Sequence, residues 1–416
     1  MTITLRQLAE QARSASRQLA NLSTERKNEV LLAFARKIRE NTALILSANQ
    51  KDLGSADRLR SQEELSDSSI QRLKLNAVKI EQMAKNFESV AALPDPVGQV
   101  QLATRLDEGL DLYRIFCPIG VLLVIFESRP EVVVQISALT LKSGNAVILK
   151  GGKEASESNA CLFVILDQVL REFTDLPDGT VNLLQSREAV SEIVQQNDCL
   201  DLIIPRGSNA LVQHIQQHSR VPVLAHADGI CHVYWDRSAS LSKAMEIIID
   251  AKTEYPAVCN AMETLLIHDQ ISENEIKQVL TNLLEAGVEI RACSVIIEKF
   301  SNKLNGVIHA SEQDWKTEYT DLILSVRLVS SHEEAISHIN HYGSGHTDAI
   351  ITEDRSIAEK FMDQVDAANV FWNASTRFAD GFRYGFGAEV GVSTCKTHAR
   401  GPVGLDGLII HKYKLY

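Results

Sequence analysis

Several features that are common in proteins are absent from this chain of 416 residues, and each absence excludes a class of protein. The seven cysteines form no CxxC pair, so we expect neither a structural zinc site nor a disulfide framework, and we predict no metal. No stretch approaches the about 18 apolar residues of a membrane span. Because acidic residues outnumber basic ones to give a net charge of −12, we expect neither a nucleic-acid nor a membrane partner.

The amino-terminal sequence MTITLRQLAEQARSASRQL lacks the apolar segment of a signal peptide. An odd number of scattered cysteines suits a reducing compartment, so the sequence predicts a cytoplasmic protein. Aromatic residues are few, at 6%, but a hydrophobic content of 45% is enough for large cores. The length favours two or three domains.

The first hundred residues have the apolar periodicity of helices, for instance at Val30, Leu31, Phe34 and Ile38, and the pattern ends at Pro94-Asp95-Pro96. From there, short apolar runs alternate with helical segments. The predicted strands are Gly120–Phe126, Ala146–Leu149, Val181–Leu184, Leu200–Ile204 and Val221–Leu224, and the predicted helices are Glu131–Lys142, Ser156–Phe173, Glu188–Gln195 and Asn209–Gln217. This alternation is typical of an α/β dinucleotide-binding domain with a parallel sheet covered on both faces.

A second α/β block begins near Cys231. Its predicted helices span Ser240–Ala251 and Ser272–Ala286, and its predicted strands span Thr264–His268 and Leu322–Val329. The tract 373–404 is different, because it is dense in Gly, Ser, Thr and Arg and has no clear periodicity. A tract of that kind and length is usually functional when it is ordered, and its Phe and Val content predicts order.

No GxGxxG sequence follows a predicted strand, so a standard Rossmann fingerprint is missing. Two glycine-containing turns between a strand and a helix remain, at 149–156 and 204–209. In the first, Gly151 and Gly152 allow close approach of backbone to a ligand, Ser156 is placed to cap the helix, and Lys150 and Lys153 add positive charge. Such turns are often plain connections, so each is a weak signal and the two together are stronger.

Cys259 lies in the small-residue segment EYPAVCNA, after a predicted helix and before a predicted strand. A nucleophilic cysteine needs exposure and an electropositive or donor-rich setting. A lone cysteine is more often a small hydrophobic core residue. Composition and spacing leave both interpretations open.

Motifs that carry a family resemblance run in order along the whole chain. They are PIGV at 118–121, FESRP at 126–130, ALTLKSGNAVILKGG at 138–152, LIIPRGS at 202–208, DGICHVY at 228–234, NASTRF at 373–378, GAEVGVST at 387–394 and HARGP at 398–402. This pattern resembles the glutamate-5-semialdehyde dehydrogenases (γ-glutamyl phosphate reductases) of the aldehyde dehydrogenase superfamily.

The resemblance implies an aldehyde dehydrogenase-like α/β fold. Residues 1–104 and 117–230 would form a Rossmann-type NADP-binding domain, residues 231–370 a catalytic domain with the nucleophilic cysteine, and residues 105–116 and 385–416 an oligomerisation flange. It also implies the reversible, NADPH-dependent reduction of L-γ-glutamyl 5-phosphate to L-glutamate 5-semialdehyde and phosphate through a cysteine thioester. This reaction is the second step of proline biosynthesis from glutamate.

The same resemblance assigns roles to individual residues. Cys259 is the nucleophile that forms the thioester, and the Asn260 backbone N–H is an oxyanion donor. The cofactor residues are Lys150, Gly151, Gly152 and Lys153 near the adenosine ribose, Gly207 and Ser208 near the pyrophosphate, and Glu318 at the nicotinamide ribose. The substrate residues are Arg129, Ser375, Thr376, Arg377 and Arg400, since bidentate arginine suits carboxylate and phosphate.

Two positions depart from the wider superfamily. Where hydrolytic relatives carry an oxyanion-hole asparagine, this chain has Glu127-Ser128-Arg129-Pro130. Where they carry a general-base glutamate, His226 stands in the sequence AHADG. An aldehyde dehydrogenase with another substrate, and a nucleotide-binding regulatory paralogue with reduced catalysis, are the alternatives. We expect a homo-oligomer, because an exposed strand pair tends to associate. Glutamate kinase is a further candidate partner.

Overall fold

The structure, a computed structural model, describes residues 4–61, 67–185, 188–207, 209–225, 228–300 and 304–416. The chain divides into two compact units. The first contains Met1–Ala225, Gly385–Gly391 and Cys395–Tyr416, and the second contains His226–Tyr384 and Val392–Thr394. Ser208, predicted to contact the cofactor pyrophosphate, and His226 lie outside the described residues.

The helices follow in chain order. They are α1 (Leu5–Leu19), α2 (Thr24–Glu40), α3 (Thr42–Ser61), α4 (Asp67–Leu73), α5 (Ala77–Ala92), α6 (Glu131–Lys142), α7 (Ser156–Glu172), α8 (Glu188–Ile193), α9 (Asn209–His218), α10 (Leu241–Thr253), α11 (Glu273–Glu285), α12 (Ser294–Phe300), α13 (His332–Tyr342) and α14 (Arg355–Gln364). Short 3-10 turns lie at Lys153–Ala155, Asp314–Lys316, Thr376–Phe378 and Leu405–Leu408.

The strands follow in the same way. They are β1 (Val100–Asp107), β2 (Leu110–Pro118), β3 (Val121–Phe126), β4 (Ala146–Lys150), β5 (Val181–Leu184), β6 (Leu202–Arg206), β7 (Cys231–Trp235), β8 (Met262–His268), β9 (Glu289–Ala292), β10 (Val307–His309), β11 (Ile323–Val329), β12 (Thr347–Ile351), β13 (Asn369–Trp372), β14 (Val392–Ser393), β15 (Gly401–Pro402) and β16 (Ile409–Leu415).

A parallel sheet in the order β5-β4-β3-β6 forms the centre of the first unit. Every residue of β3 and β4 is buried, which is why these strands are continuous apolar runs rather than alternating ones. The predicted α/β architecture is confirmed here. Helices α6 and α7 connect the strands as expected for right-handed βαβ units.

The predicted strand at 221–224 is wrong. That segment makes only an isolated parallel bridge between Val223 and Ile203. The reason lies at Pro222, whose carbonyl accepts from the Ile203 N–H but which has no N–H of its own to continue a ladder.

The first unit also carries an antiparallel sheet in the order β1-β2-β16. Every residue of β1 is exposed, and so is every residue of β16 after Ile409. Both outer strands therefore present unpaired backbone groups along an edge, as expected for a surface that associates.

The second unit is built on a sheet in the order β10-β9-β11-β8-β7-β12-β13, with every neighbouring pair parallel. Strand β8 lies at its centre and is buried throughout, so the loop that leads into β8 is held on a rigid scaffold. None of the helices in the described ranges is both long and apolar enough to cross a bilayer.

Candidate active site

The predicted nucleophile lies in a short loop that precedes β8, the central strand of the sheet in the second unit. Helix α10 ends at Thr253 and strand β8 begins at Met262, so the loop 254–261 carries Cys259 between two fixed elements. A turn closes the loop, because the Ala261 N–H donates to the Val258 carbonyl at 3.0 Å. The Cys259 side chain is partly exposed, as a thiol that must meet a substrate requires.

Cys231, the cysteine that would be the next candidate, is fully buried at the start of β7. Burial raises the pKa of the Cys231 thiol well above its usual range, and the nearby Asp348 carboxylate raises it further. Because the thiolate is the nucleophile, such an environment keeps Cys231 protonated and unreactive. Cys231 nevertheless contacts the backbone of Cys259, since Cys231 Sγ donates to the Cys259 carbonyl oxygen at 3.2 Å.

Gly229 packs against the backbone of Cys259 from another side. A β-carbon at position 229 would lie 2.5 Å from the Cys259 α-carbon and 2.7 Å from its carbonyl carbon, distances that side chains do not tolerate. The glycine of the motif DGICHVY therefore permits a close approach of two backbone segments. The prediction of site residues did not include Gly229 or Cys231, although the motif contained both.

Asn260, the predicted oxyanion residue, is 6% exposed. Its side-chain amide donates to the Ala379 carbonyl at 3.0 Å, which connects the nucleophile loop to the segment 373–380. Its Oδ1 atom is buried without a hydrogen-bond partner in the described part of the chain. The Asn260 backbone N–H likewise makes no hydrogen bond within the described residues, so it is available to a ligand.

The predicted substrate residues of the second unit lie on the segment that Asn260 contacts. Ser375 is buried and its Oγ accepts from the Arg377 N–H at 3.2 Å. Thr376 is fully buried, and its Oγ1 has no hydrogen-bond partner among the described residues. An uncompensated buried hydroxyl is unfavourable, which points to a ligand or water as its partner.

Arg377 is already engaged within the protein. Its Nε lies 3.2 Å from Glu254 Oε2, and Arg383 Nη2 lies 2.8 Å from the other oxygen of the same carboxylate. Arg383 also stacks over the Phe378 ring at 5.0 Å. Glu254 immediately follows α10, so this cluster ties segment 375–383 to the beginning of the nucleophile loop. Arg383 was not among the predicted site residues.

A buried ion pair spans the nucleophile loop. Lys252 at the end of α10 and Glu263 at the start of β8 are both fully buried and lie 2.7 Å apart. The second carboxylate oxygen of Glu263 accepts from the Thr320 N–H at 3.3 Å. Burial raises the pKa of Glu263 and lowers that of Lys252. Glu318 lies close enough to raise the pKa of Glu263 further, so the predicted ribose-binding glutamate belongs to the same neighbourhood.

The predicted cofactor residues of the first unit follow β4 and β6, the two parallel strands that flank β3. Lys150 ends β4, with Gly151 and Gly152 directly after it, and Gly207 follows β6. Because the carboxyl ends of parallel strands meet at one edge, these turns lie along the same edge of the sheet. A β-carbon on Gly151 would overlap the Asn159 amide, and one on Gly207 would lie 2.5 Å from Glu127 Oε2.

The start of α7 differs from the prediction in one respect. Ser156 is the first residue of the helix and caps nothing. Instead, the carboxylate of Asp52 on α3 accepts from the N–H groups of Glu157 at 3.0 Å and Ser158 at 2.8 Å. An ionised carboxylate is a stronger acceptor at a helix N-terminus than a hydroxyl, so a residue remote in sequence takes the place of the local cap.

The other predicted residues of the first unit differ in their exposure. Lys150 is buried and donates to the Gly151 carbonyl, whereas Lys153 is exposed at the beginning of the 3-10 turn. Arg129, which follows Ser128 after β3, is partly buried, as is Arg400 before β15. Ser128 adopts a positive φ of 52°, and its N–H donates to Glu154 Oε1 at 2.6 Å.

Comparison with known proteins identifies the family of this chain. The family model for the aldehyde dehydrogenase family matches residues 4–291 and 307–389. An acetylating aldehyde dehydrogenase from Geobacillus thermoglucosidasius superposes with a TM-score of 0.70 over 99% of this chain and 96% of that chain, at 19% identity, which is a likeness of fold. The chain belongs to the aldehyde dehydrogenase family.

Within that family the chain groups with the gamma-glutamyl phosphate reductases. It is 50% identical over 413 residues to the gamma-glutamyl phosphate reductase of Acetivibrio thermocellus, covering 99% of this chain and 94% of the relative. It is also 50% identical to gamma-glutamyl phosphate reductase 1 of Synechocystis over 99% of this chain and 93% of the relative. The crystal structure of the gamma-glutamyl phosphate reductase of Thermotoga maritima is 40% identical, with a TM-score of 0.93 over 99% of this chain and 98% of that chain.

Proposed function

We propose that this chain catalyses the reversible, NADPH-dependent reduction of L-γ-glutamyl 5-phosphate to L-glutamate 5-semialdehyde and phosphate, with Cys259 as the nucleophile. The observation that carries the proposal is the partly exposed thiol of Cys259 on a loop held between α10 and β8. The gamma-glutamyl phosphate reductases that share half of this sequence support the choice of substrate. In a cell the reaction would be the second step of proline biosynthesis, following a glutamate kinase, in the cytoplasm.

The covalent step uses the residues of the nucleophile loop. The Cys259 thiolate attacks the acyl carbon, a C–S bond forms, and the C–O bond to phosphate breaks to release phosphate. The Asn260 N–H, which has no hydrogen bond within the described chain, donates to the oxyanion of the tetrahedral intermediate. When the resulting thioester has been reduced, cleavage of the C–S bond releases the aldehyde and restores the thiolate.

The first unit has a surface that fits a dinucleotide. Gly151 and Gly207 leave no room for a side chain, and Lys150 ends β4 directly before Gly151. Both turns follow the carboxyl ends of parallel strands, where α/β sheets bind ligands. Because Asp52 occupies the first amides of α7, we place the pyrophosphate at the turn after β6, with Gly207 and Ser208. Bound NADPH would supply the hydride. Glu318 remains the residue proposed for the nicotinamide ribose.

The substrate would be held by the polar segment that adjoins Asn260. Ser375 and Thr376 offer hydroxyl groups, and the Thr376 Oγ1 has no hydrogen-bond partner among the described residues. Arg377 adds a positive charge for the α-carboxylate. Arg129 and Arg400 are the other arginines proposed for the charged groups of the substrate.

A spectrophotometric assay tests the proposal in the oxidative direction. We expect glutamate 5-semialdehyde, phosphate and NADP together to yield NADPH, and Cys259→Ser to reduce turnover by several orders of magnitude while the variant folds and binds NADPH. Cys199→Ala, which removes a buried thiol of the first unit, is the matched control and should turn over normally. Near-normal turnover of Cys259→Ser would remove Cys259 from the mechanism.

Omission of phosphate from the same assay tests the acceptor. A water molecule needs a general base to attack a thioester, and the superfamily position of that base is a histidine, His226, in this sequence. Phosphate is already anionic at neutral pH and needs only positioning. If NADPH and free glutamate form at a similar rate without phosphate, the chain is a hydrolytic aldehyde dehydrogenase instead. If no aldehyde is turned over, the result favours a regulatory nucleotide-binding protein.

A further inference from the structure

The peptide group between Cys259 and Asn260 is held from several directions. The Cys259 carbonyl oxygen accepts a hydrogen bond from Cys231 Sγ at 3.2 Å. Gly229 packs so tightly against the same carbonyl that no side chain fits at that position. On the other side of the peptide, the Asn260 side chain donates to the Ala379 carbonyl at 3.0 Å. The orientation of this one peptide plane is therefore specified by two separate segments of the second unit, residues 229–231 and the segment that contains Ala379.

Fixing the carbonyl also fixes the N–H of the same peptide. In a trans peptide the C=O and the N–H lie in one plane and point in opposite directions. Since the Cys259 carbonyl is directed at Cys231, the Asn260 N–H is directed away from Cys231. That N–H makes no hydrogen bond within the described residues, although Asn260 itself is almost completely buried. An available donor beside a nucleophile is the arrangement that stabilises an oxyanion.

Cys231 can act as a donor only while it carries its proton. Burial raises the pKa of this thiol well above its usual range, so at neutral pH the S–H is present. His346 Nδ1 lies 3.6 Å from the same sulfur, farther than the Cys259 carbonyl oxygen. A neutral thiol is a weak donor, but the close packing of Gly229 leaves the carbonyl little freedom to turn elsewhere.

We propose that Cys231 and Gly229 are positioning residues that orient the Cys259–Asn260 peptide so that the Asn260 N–H meets the oxyanion formed at Cys259. The inference rests on the covalent chemistry of the proposed function, and neither residue touches the substrate. It predicts that loss of the Cys231 thiol weakens acyl transfer and leaves the intrinsic reactivity of Cys259 unchanged.

Two reagents that attack the same thiol separate these effects. p-Nitrophenyl acetate acylates a thiolate through a tetrahedral oxyanion, whereas iodoacetamide alkylates it by direct displacement and forms no oxyanion. In Cys231→Ala we expect acylation of Cys259 to slow at least tenfold, and by no more than the about 10²–10³-fold that complete removal of an oxyanion donor causes. Alkylation of Cys259 should stay within about twofold of the wild type. Mass spectrometry of the Cys259 peptide measures both rates.

Matched variants make the comparison specific. Cys231→Ser keeps a donor and should recover part of the acylation rate, while Cys199→Ala, another buried cysteine, should change neither rate. Gly229→Ala should slow acylation more than Cys231→Ala, because its β-carbon displaces the carbonyl itself. If Gly229→Ala does not fold, Cys231→Ala and Cys231→Ser still decide the question.

Several outcomes would overturn the proposal. One is an unchanged rate of acylation in Cys231→Ala. Another is an equal loss of acylation and alkylation in that variant, which would mean that the whole loop has moved. The third is a wild-type protein whose Cys259 the ester does not acylate. Neither reagent requires the semialdehyde or NADP. A wild type that acylates normally but fails to oxidise glutamate 5-semialdehyde would therefore refute the proposed function and leave the positioning role standing.

Discussion

Cys259 and Cys231 carry the same thiol in surroundings of opposite character. Cys259 is partly exposed on a loop, whereas Cys231 is enclosed in a sheet where burial and the nearby Asp348 disfavour its thiolate. The chemistry of an individual residue in this protein is thus set by its neighbours rather than by its type. Arg377 and His338 show the same dependence, and each leads to a prediction.

Arg377 is predicted to bind a charged group of the substrate, and in the structure it is paired with Glu254. We expect Arg377→Ala to raise the KM for glutamate 5-semialdehyde at least tenfold and to leave the dissociation constant of NADPH unchanged, because a charge-assisted hydrogen bond contributes about 1.5–3 kcal/mol. Glu254→Gln is the control, and it should change KM less than about threefold, since the guanidinium remains. Equal effects of both substitutions on KM would assign Arg377 to holding the loop.

His338 on α13 is buried beside the rings of Trp315, Tyr342 and His232. Burial lowers the pKa of His338 to about 2, and the positive charge of nearby Arg327 acts in the same direction. The unfolded chain takes up this proton near pH 6.5, so between about pH 6.5 and 2 the unfolded state binds more protons than the folded state. Stability must therefore fall as the pH falls through this window.

We expect His338 to account for about 2 kcal/mol of lost stability between pH 7 and pH 5. In His338→Gln the free energy of unfolding, measured with urea, should fall less over this range, whatever its absolute value. His341→Gln, at an exposed position of the same helix, is the control and should keep the wild-type slope. The same slope in His338→Gln and in the wild type would contradict the assignment.

At the scale of elements, loops that carry predicted site residues are held by the helices and strands at their ends. The nucleophile loop lies between α10 and β8, which are linked by the fully buried pair of Lys252 and Glu263. The cofactor turn lies between β4 and α7, and Asp52 of α3 fixes the start of α7. Charged groups in such places are favourable only while their partners remain.

Removal of one member of the Lys252–Glu263 pair leaves an uncompensated buried charge. We expect Lys252→Met and Glu263→Met each to lower the free energy of unfolding by about 3–5 kcal/mol, and the double variant to lose less than either single variant. Lys243→Met and Glu353→Met, which break an exposed ion pair of the same unit, should each cost about 1 kcal/mol or less. Additive losses in the buried double variant would show that the two charges do not compensate each other.

In the proposed function, the turn after β4 is expected to select NADP over NAD. Lys153 is exposed at the beginning of the 3-10 turn, and its positive charge would attract the 2′-phosphate of NADP. We expect Lys153→Ala to lower the ratio of kcat/KM for NADP to that for NAD by about tenfold or more. Lys51→Ala on the neighbouring α3, also an exposed lysine, is the control. A change in the ratio of less than about twofold would make Lys153 a solvated surface residue.

For the whole molecule, the exposed sheet β1-β2-β16 is the main feature that a single chain leaves uncovered. Apolar side chains remain exposed on its outer strands, among them Leu102 at 45%, Tyr413 at 56% and Leu415 at 55%. Edge strands of this kind are usually paired or covered in the functional state. The homo-oligomer stays a prediction.

Light scattering coupled to gel filtration tests that prediction. We expect the wild type to elute with the mass of a dimer or a larger assembly, and Tyr413→Asp with Leu415→Asp to reduce that mass, because charges on an apolar interface oppose association. Val78→Asp on α5, where valine is 78% exposed, is the control and should not change the mass. A monomeric wild type at micromolar concentration would contradict the flange assignment.

The sequence by itself determined the elements and the family. The helical character of the first hundred residues was predictable, and the strands β3, β4 and β5 were predictable to within a few residues, because apolar periodicity reports local burial. The motif around Cys259 identified the candidate nucleophile from family resemblance, where spacing alone left it undecided. Local signals of this kind require only residues that are close together along the chain.

Only the tertiary structure decided which distant residues meet. Val223 pairs with β6 at a single bridge because Pro222 cannot donate, and Asp52 rather than Ser156 caps α7. The contacts of Cys231 and Gly229 with the Cys259 carbonyl join segments about thirty residues apart, and Glu254 meets Arg377 across more than a hundred. Such contacts depend on how the strands are ordered in the sheet and on which charges must be compensated when they are buried, and no local pattern in the sequence specifies either.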